Sequence, residues 1–151
     1  MALLCSMVAG AVEIEPGVSQ KLAEQRRAAV GNLCYDLKFR IPASRKEKVT
    51  GSAVIKFTYK KCGDDLQLDF QGADGQYGGV VTVNGKKRRA EWRSEHIILK
   101  ESWLKNGENA VDVAFTSGDK SLNRNDDYLY TLFVPDHARS VFPCFDQPDL
   151  K

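Results

Sequence analysis

Apolar and polar residues alternate along most of this chain. Tyr35, Leu37, Phe39 and Ile41 are separated by Asp36, Lys38 and Arg40, the two-residue period of a strand that buries one face. Ala53, Ile55, Phe57 and Tyr59 repeat the pattern around Val54, Lys56 and Thr58, and Leu66, Leu68 and Phe70 repeat it around Gln67 and Asp69. Val81 and Val83 lead into Asn84-Gly85, a pair that tolerates positive φ at both positions of a tight hairpin turn. A short strand at residues 97–99, a helical turn at 102–104 and a break at Asn106-Gly107 precede Val111, Val113 and Phe115. Residues 129–134 complete seven or eight strands with no long helical period between them. The pattern predicts an all-β domain, an antiparallel sandwich or saddle-shaped sheet.

One segment departs from that period. Residues 18–29 predict a short helix, with Ser19 as cap, strong helix formers from Lys21 to Arg27, and Gly31 as the stop. Its large apolar residues are few, Val18, Leu22 and Val30, which predicts a helix lying on the surface or ahead of the domain. Before it, residues 1–12 form an apolar run ending in Ala9, Gly10 and Ala11. This looks like the core and cleavage end of a signal peptide without the basic start, and it is too short to span a bilayer. It reads either as a leader remnant of an exported, periplasmic protein or as the disordered or packed terminus of a cytoplasmic one. The expected division is 1–17 signal-like or disordered, 18–31 helix and 32–151 β-domain, within a length that fits one domain.

Composition acts by exclusion. With 22 Lys and Arg against 20 Asp and Glu, the net charge sets up no field that would draw nucleic acid or anionic lipid. The run Lys86, Lys87, Arg88, Arg89 follows the hairpin turn and is expected to be solvated. Cys5, Cys34, Cys62 and Cys144 form no Cys-x-x-Cys pair. Buried free thiols are expected, with a Cys34 to Cys62 bridge as the alternative for an exported chain. The carboxylate pairs Asp64-Asp65 and Asp126-Asp127 lack the spacing and glycine of a calcium loop.

Hydrolysis through a bound metal or an activated nucleophile requires converging imidazoles or carboxylates, yet only His96 and His137 occur, and neither begins His-Glu-x-x-His. No catalytic residue and no metal ligand is assigned. His96, opening a strand, is read as structural or surface, and Asp136-His137 as a turn whose side chains cap backbone groups.

The segment 126–151, DDYLYTLFVPDHARSVFPCFDQPDLK, is more specific. Ala138, Arg139, Phe142, Pro143, Cys144, Phe145, Asp146, Pro148 and Lys151 match the run that closes the amino-terminal domain in the M1 (aminopeptidase N) zinc aminopeptidases, and the chain resembles that family from about residue 32 to 151. Tyr35-Asp36-Leu37, Gly51, Leu66 to Phe70, Val83-Asn84-Gly85, Leu104 and Gly107-Glu108-Asn109 follow in the family's order. This last triplet lacks the methionine and spacing of the family's Gly-x-Met-Glu-Asn motif.

The resemblance implies a non-catalytic amino-terminal domain, incomplete at its carboxyl end, that supports a catalytic domain and walls its cleft. The cofactor is then the parent enzyme's zinc, and the partners are the chain's own catalytic domain and the parent's peptide substrate. The matched run is expected to act as a structural latch, with Pro143 and Pro148 fixing φ, Cys144 and Phe145 buried, and Arg139 and Asp146 anchoring one another or backbone groups. Leu132 and Val134 occupy the positions where many members carry the residues that bind the substrate's amine. Apolar side chains accept no hydrogen bond, so no substrate-binding residue is assigned. The alternative reading is a stand-alone β-sandwich binding module with Trp92 and Trp103 as contacts, although both fit core or hairpin packing.

Overall fold

The computed structural model describes residues 11–72 and 77–150. Among them one α-helix, α1 (Gln20–Ala29), is followed by ten strands: β1 (Val30–Arg40), β2 (Thr50–Tyr59), β3 (Leu66–Asp69), β4 (Tyr77–Val83), β5 (Lys86–Arg89), β6 (Glu91–Arg93), β7 (His96–Leu99), β8 (Gly107–Thr116), β9 (Leu122–Arg124) and β10 (Leu129–Thr131). The count exceeds the expected seven or eight because β6 and β9 are too short to display a period. Residues 1–10 of the apolar run, with Cys5, and Lys151 lie outside the described residues.

Three antiparallel sheets result, ordered β1-β2-β8-β4-β5, β3-β7-β6 and β10-β9. Ala53, Ile55, Phe57, Val81, Val83, Val111, Val113 and Phe115 line the inner face of the first. They meet Leu66, Leu68, Ile97 and Leu99 of the second in one core, which is the all-β sandwich that the alternation predicts. Each such side chain is worth roughly 1.5–3 kcal/mol when fully buried, so this interface is the main source of cohesion. Gly51 has a steric reason: a Cβ there would meet the Lys38 carbonyl oxygen at 2.5 Å and Phe115 Cζ at 2.7 Å. Asn84 (φ 49) and Gly85 (φ 78) form the tight turn between β4 and β5. The cations of β5 sit on a sheet edge, where charge resists pairing with a foreign strand.

Four expectations are corrected. Gly31 does not stop the helix, since Val30 already has extended backbone as the cap of α1 and opens β1. Nor is the helix a surface appendage, because Leu22, Arg26 and Ala29 are buried. The last strand ends at Thr131, short of Val134, and a cis peptide joins Val134 to Pro135. Of the thiols, Cys144 is buried but Cys34 and Cys62 are exposed and free. Cys34 sits opposite Lys56, while Cys62 lies in the loop after Tyr59, the last residue of β2, with its N–H on Glu101. A disulfide requires Cα atoms within about 7 Å.

Candidate functional site

Alternation gives β3 a polar face that a two-sheet sandwich would leave in water. It is buried instead: Gln67 is 2% exposed and Asp69 0%. α1 and the segment before it cover that face. Arg26 Nη1 donates to Asp69 Oδ2 at 2.8 Å, and Nη2 donates to Asp69 Oδ1 at 2.5 Å and to the Gln67 carbonyl at 2.6 Å. His96, paired with Asp69 in the β3–β7 register, places Nδ1 2.8 Å from Asp69 Oδ1 and Nε2 2.9 Å from the Glu15 carbonyl. Gln67 Nε2 donates to the Glu13 carbonyl at 3.3 Å. His96 is therefore a fully buried structural residue.

Burial by itself would raise the Asp69 carboxyl. The Arg26 guanidinium, the His96 contact, the Arg26 hydrogen bonds and the Asp146 amide together outweigh it and hold the group below the ordinary carboxylate range. A depressed folded-state pKa stabilises the fold above the unfolded value of about 3.9, and that stabilisation disappears as pH falls through the folded value. Urea midpoints should therefore hold from about pH 6 to about pH 4 and decline below. The paired variant Arg26→Met/Asp69→Asn should show a shallower acid decline. An unchanged acid profile in that variant would rule out Asp69 as the titrating group.

The matched terminal run closes over this cluster. Asp69 N–H donates to the Cys144 carbonyl at 2.8 Å and Cys144 N–H to the Asp69 carbonyl at 3.0 Å, so the run pairs with the edge of β3 that β7 leaves free. Phe145 N–H donates to Tyr35 Oη at 2.9 Å, Asp146 N–H to Asp69 Oδ2 at 2.8 Å, and Gln147 Nε2 to the Ala23 carbonyl at 3.2 Å. The Phe145 ring lies under the Arg26 guanidinium, 5.4 Å from its centroid, and edge-on to Phe57 at 5.8 Å. Phe142 packs edge-on against Tyr35, Phe39 and Phe133. Ala138 and Pro143 are buried, while Pro148 is exposed and opens a 3-10 turn.

Burial, followed by the charges of Asp146 and Asp69, pushes the Cys144 thiol well up, which suits packing rather than nucleophilic attack. Asp146 Oδ2 accepts from the Arg139 backbone N–H at 3.1 Å, and the Arg139 guanidinium bonds Asp136 Oδ2 at 2.7 Å. A guanidinium one turn from Asp136 reaches the nearer carboxylate.

Residues 128–134 stand apart from the cluster. Tyr128, Tyr130, Leu132 and Val134 are all exposed, Val134 at 70%. Leu129 and Phe133, on the alternate positions, pack against the core. Leu132 and Val134 thus present an apolar surface to solvent. Trp92 Nε1 donates to the Phe70 carbonyl at 2.8 Å, and Trp103 lies beneath Arg88, 5.9 Å from its ring centroid. Among the described residues no group of three or more His, Cys, Asp or Glu could hold a metal ion, and no helix is long and apolar enough to cross a membrane. Asp65 bonds the Glu101 amide and Lys100, and Asp64 bonds Val12 N–H and Gln25.

No family model matches the chain, and no curated protein matches it. Solved structures do. Native leukotriene A4 hydrolase from Saccharomyces cerevisiae aligns with a TM-score of 0.62 at 23% identity, over 83% of this chain and 22% of that one. The same yeast enzyme in complex with bestatin gives 0.63 at 22% identity, over 89% and 26%. The fold is shared. This chain therefore spans about a quarter of the length of the structures it matches.

Proposed function

We propose that this chain is the non-catalytic amino-terminal β-domain of an M1-type zinc metallo-aminopeptidase, bracing the catalytic domain and walling one side of its substrate cleft. Yeast leukotriene A4 hydrolase is a member of that family. The observation that carries the reading is the terminal run. Eight of its matched residues, Ala138 to Pro148, follow one another through the segment that pairs with β3 and closes over Asp69, within a fold shared with the yeast enzyme.

In this reading the parent hydrolyses amino-terminal residues from peptides, and its zinc is held by residues of the catalytic domain. The described residues of this chain offer no donor set for the ion, so no zinc-dependent step is assigned to them. Leu132 and Val134 can shape an apolar wall but cannot hold an ammonium group. Capture of a free amine falls to residues of the catalytic domain.

The purified chain, supplied with zinc, should leave amino-acid anilides untouched and titrate no stoichiometric zinc. Turnover above the buffer background would overturn the reading. The gene beyond residue 151 provides a second test: continuation into Gly-x-Met-Glu-Asn and His-Glu-x-x-His supports it. A stop codon coupled with a stable ligand-binding monomer would favour the stand-alone module.

A further inference from the structure

The outer face of the five-stranded sheet carries a shallow, open trough of about 870 Å³. Its floor is small and hydroxylated, with Thr50, Ser52, Thr82, Ala114 and Thr116. Lys38 and Arg40 line it on the β1 side, the lining ends at β4 on the other with β5 just beyond, and the strand registers fix what stands on these two flanking banks. Lys38 pairs with Ser52 and Arg40 with Thr50 on the β1 side, while Thr82 pairs with Lys87 and Val80 with Arg89 on the β5 side. Each bank therefore carries two exposed cations at positions i and i+2 of one strand. Lys38, Lys87 and Arg89 form no ion pair among the described residues, and Arg40 has only a long 3.9 Å contact with Glu47.

Three carboxylates share this face, Asp36 on β1 and Asp112 and Glu108 on β8, with Glu108 opposite Thr58 and further from the Lys38 end. Asp36 and Asp112 fall in the row of Thr82 and Lys87 and Glu108 lies beyond it, which leaves the end marked by Lys38, Arg40 and Arg89 positive. β1 and β5 are the two edges of this sheet, so the four cations flank its outer face from both sides.

From this charge pattern we infer that the trough binds an extended acidic segment of another protein, lying along the strands with its carboxylates directed to both banks. The geometry matches on two counts. Same-side residues of an extended peptide repeat every ~6.8 Å, as do cations at i and i+2 of the bank strands. Successive side chains of such a peptide point to opposite sides, and the banks stand four strand spacings apart, about 19 Å at the backbone, a gap that long cationic and carboxylate side chains close from both directions.

Other polyanions fit less well. Phe39 and Phe115, the two rings that reach the trough, are packed edge-on against each other at 5.7 Å and give no platform on which bases could stack. A bilayer surface is flat on this scale and does not enter a concavity.

The test is fluorescence anisotropy of a fluorescein-labelled oligoglutamate peptide, whose successive carboxylates face both banks, against the full chain at about 50 mM salt. Saturable binding that weakens as salt rises is expected. Lys38→Glu/Arg89→Glu should weaken it by about tenfold or more, whereas Lys60→Glu/Lys120→Glu, away from the trough, should not. Should the charge-reversed protein fail to fold, Lys38→Gln/Arg89→Gln supplies the same comparison. Absence of saturable binding, equal binding by the trough and control variants, or tighter binding of polyuridine or phosphatidylserine vesicles than of the peptide would each overturn the inference.

Discussion

Arg26→Met should lower the free energy of unfolding by about 3–5 kcal/mol, read as a fall in urea midpoint at neutral pH. The substitution keeps most of the aliphatic volume, so packing is not what is lost. What remains is the Asp69 carboxylate at 0% exposure, deprived of both guanidinium bonds and of the charge that offsets its desolvation. The Gln67 carbonyl loses its donor as well. Converting both partners in Arg26→Met/Asp69→Leu should recover part of the loss, because a buried ion pair replaced by apolar groups of similar volume is often neutral. That recovery would be incomplete, since His96 and the Asp146 amide also lean on Asp69. A single variant that loses less than about 1 kcal/mol would mean that the cluster is peripheral to stability.

Phe145→Ala should cost about 3–5 kcal/mol. The ring is 1% exposed and is held between Phe57 and the Arg26 guanidinium, so its removal opens a cavity and strips one wall from the buried charge. Leu132→Gln, at 63% exposure, should shift stability by no more than about 0.5 kcal/mol. The contrast separates the two parts of the carboxyl-terminal segment. If Phe145→Ala were as mild as Leu132→Gln, the terminal run would be a contact surface for something outside the chain and not a latch within it.

The first sheet was legible because its strands bury one face and the period reports that directly: Ala53, Ile55, Phe57 and Tyr59 alternate in the sequence and are all buried. Asn84-Gly85 marked its hairpin for the same local reason. β3 was legible by half. Leu66 and Leu68 announced a core face, but alternation carries no sign of a third element covering Gln67 and Asp69. That cover is long-range, with Arg26 reaching Asp69 across 43 positions.

A signal was nevertheless present. Leu22, Arg26 and Ala29 fall at i, i+4 and i+7, a single helix face, so an arginine stood in the apolar stripe. Read by residue type it looked like solvent-facing charge; read by spacing it belonged inside. The terminal motif was visible as a string of residue types, but its partners were not. Nothing local to Cys144 or Phe145 specifies Asp69, Tyr35 or Arg26 as the groups they meet. The pairing of the Arg139 guanidinium with Asp136 depends on chain geometry that two complementary charges do not encode.

The carbonyls of Glu13 and Glu15, held by Gln67 and His96, make the stretch ahead of the helix a plug over the buried charges. Any proteolytic trimming of the amino terminus is tolerated only up to that plug. A cut on its far side would admit water to the guanidinium–carboxylate pair and unfold what it uncovers.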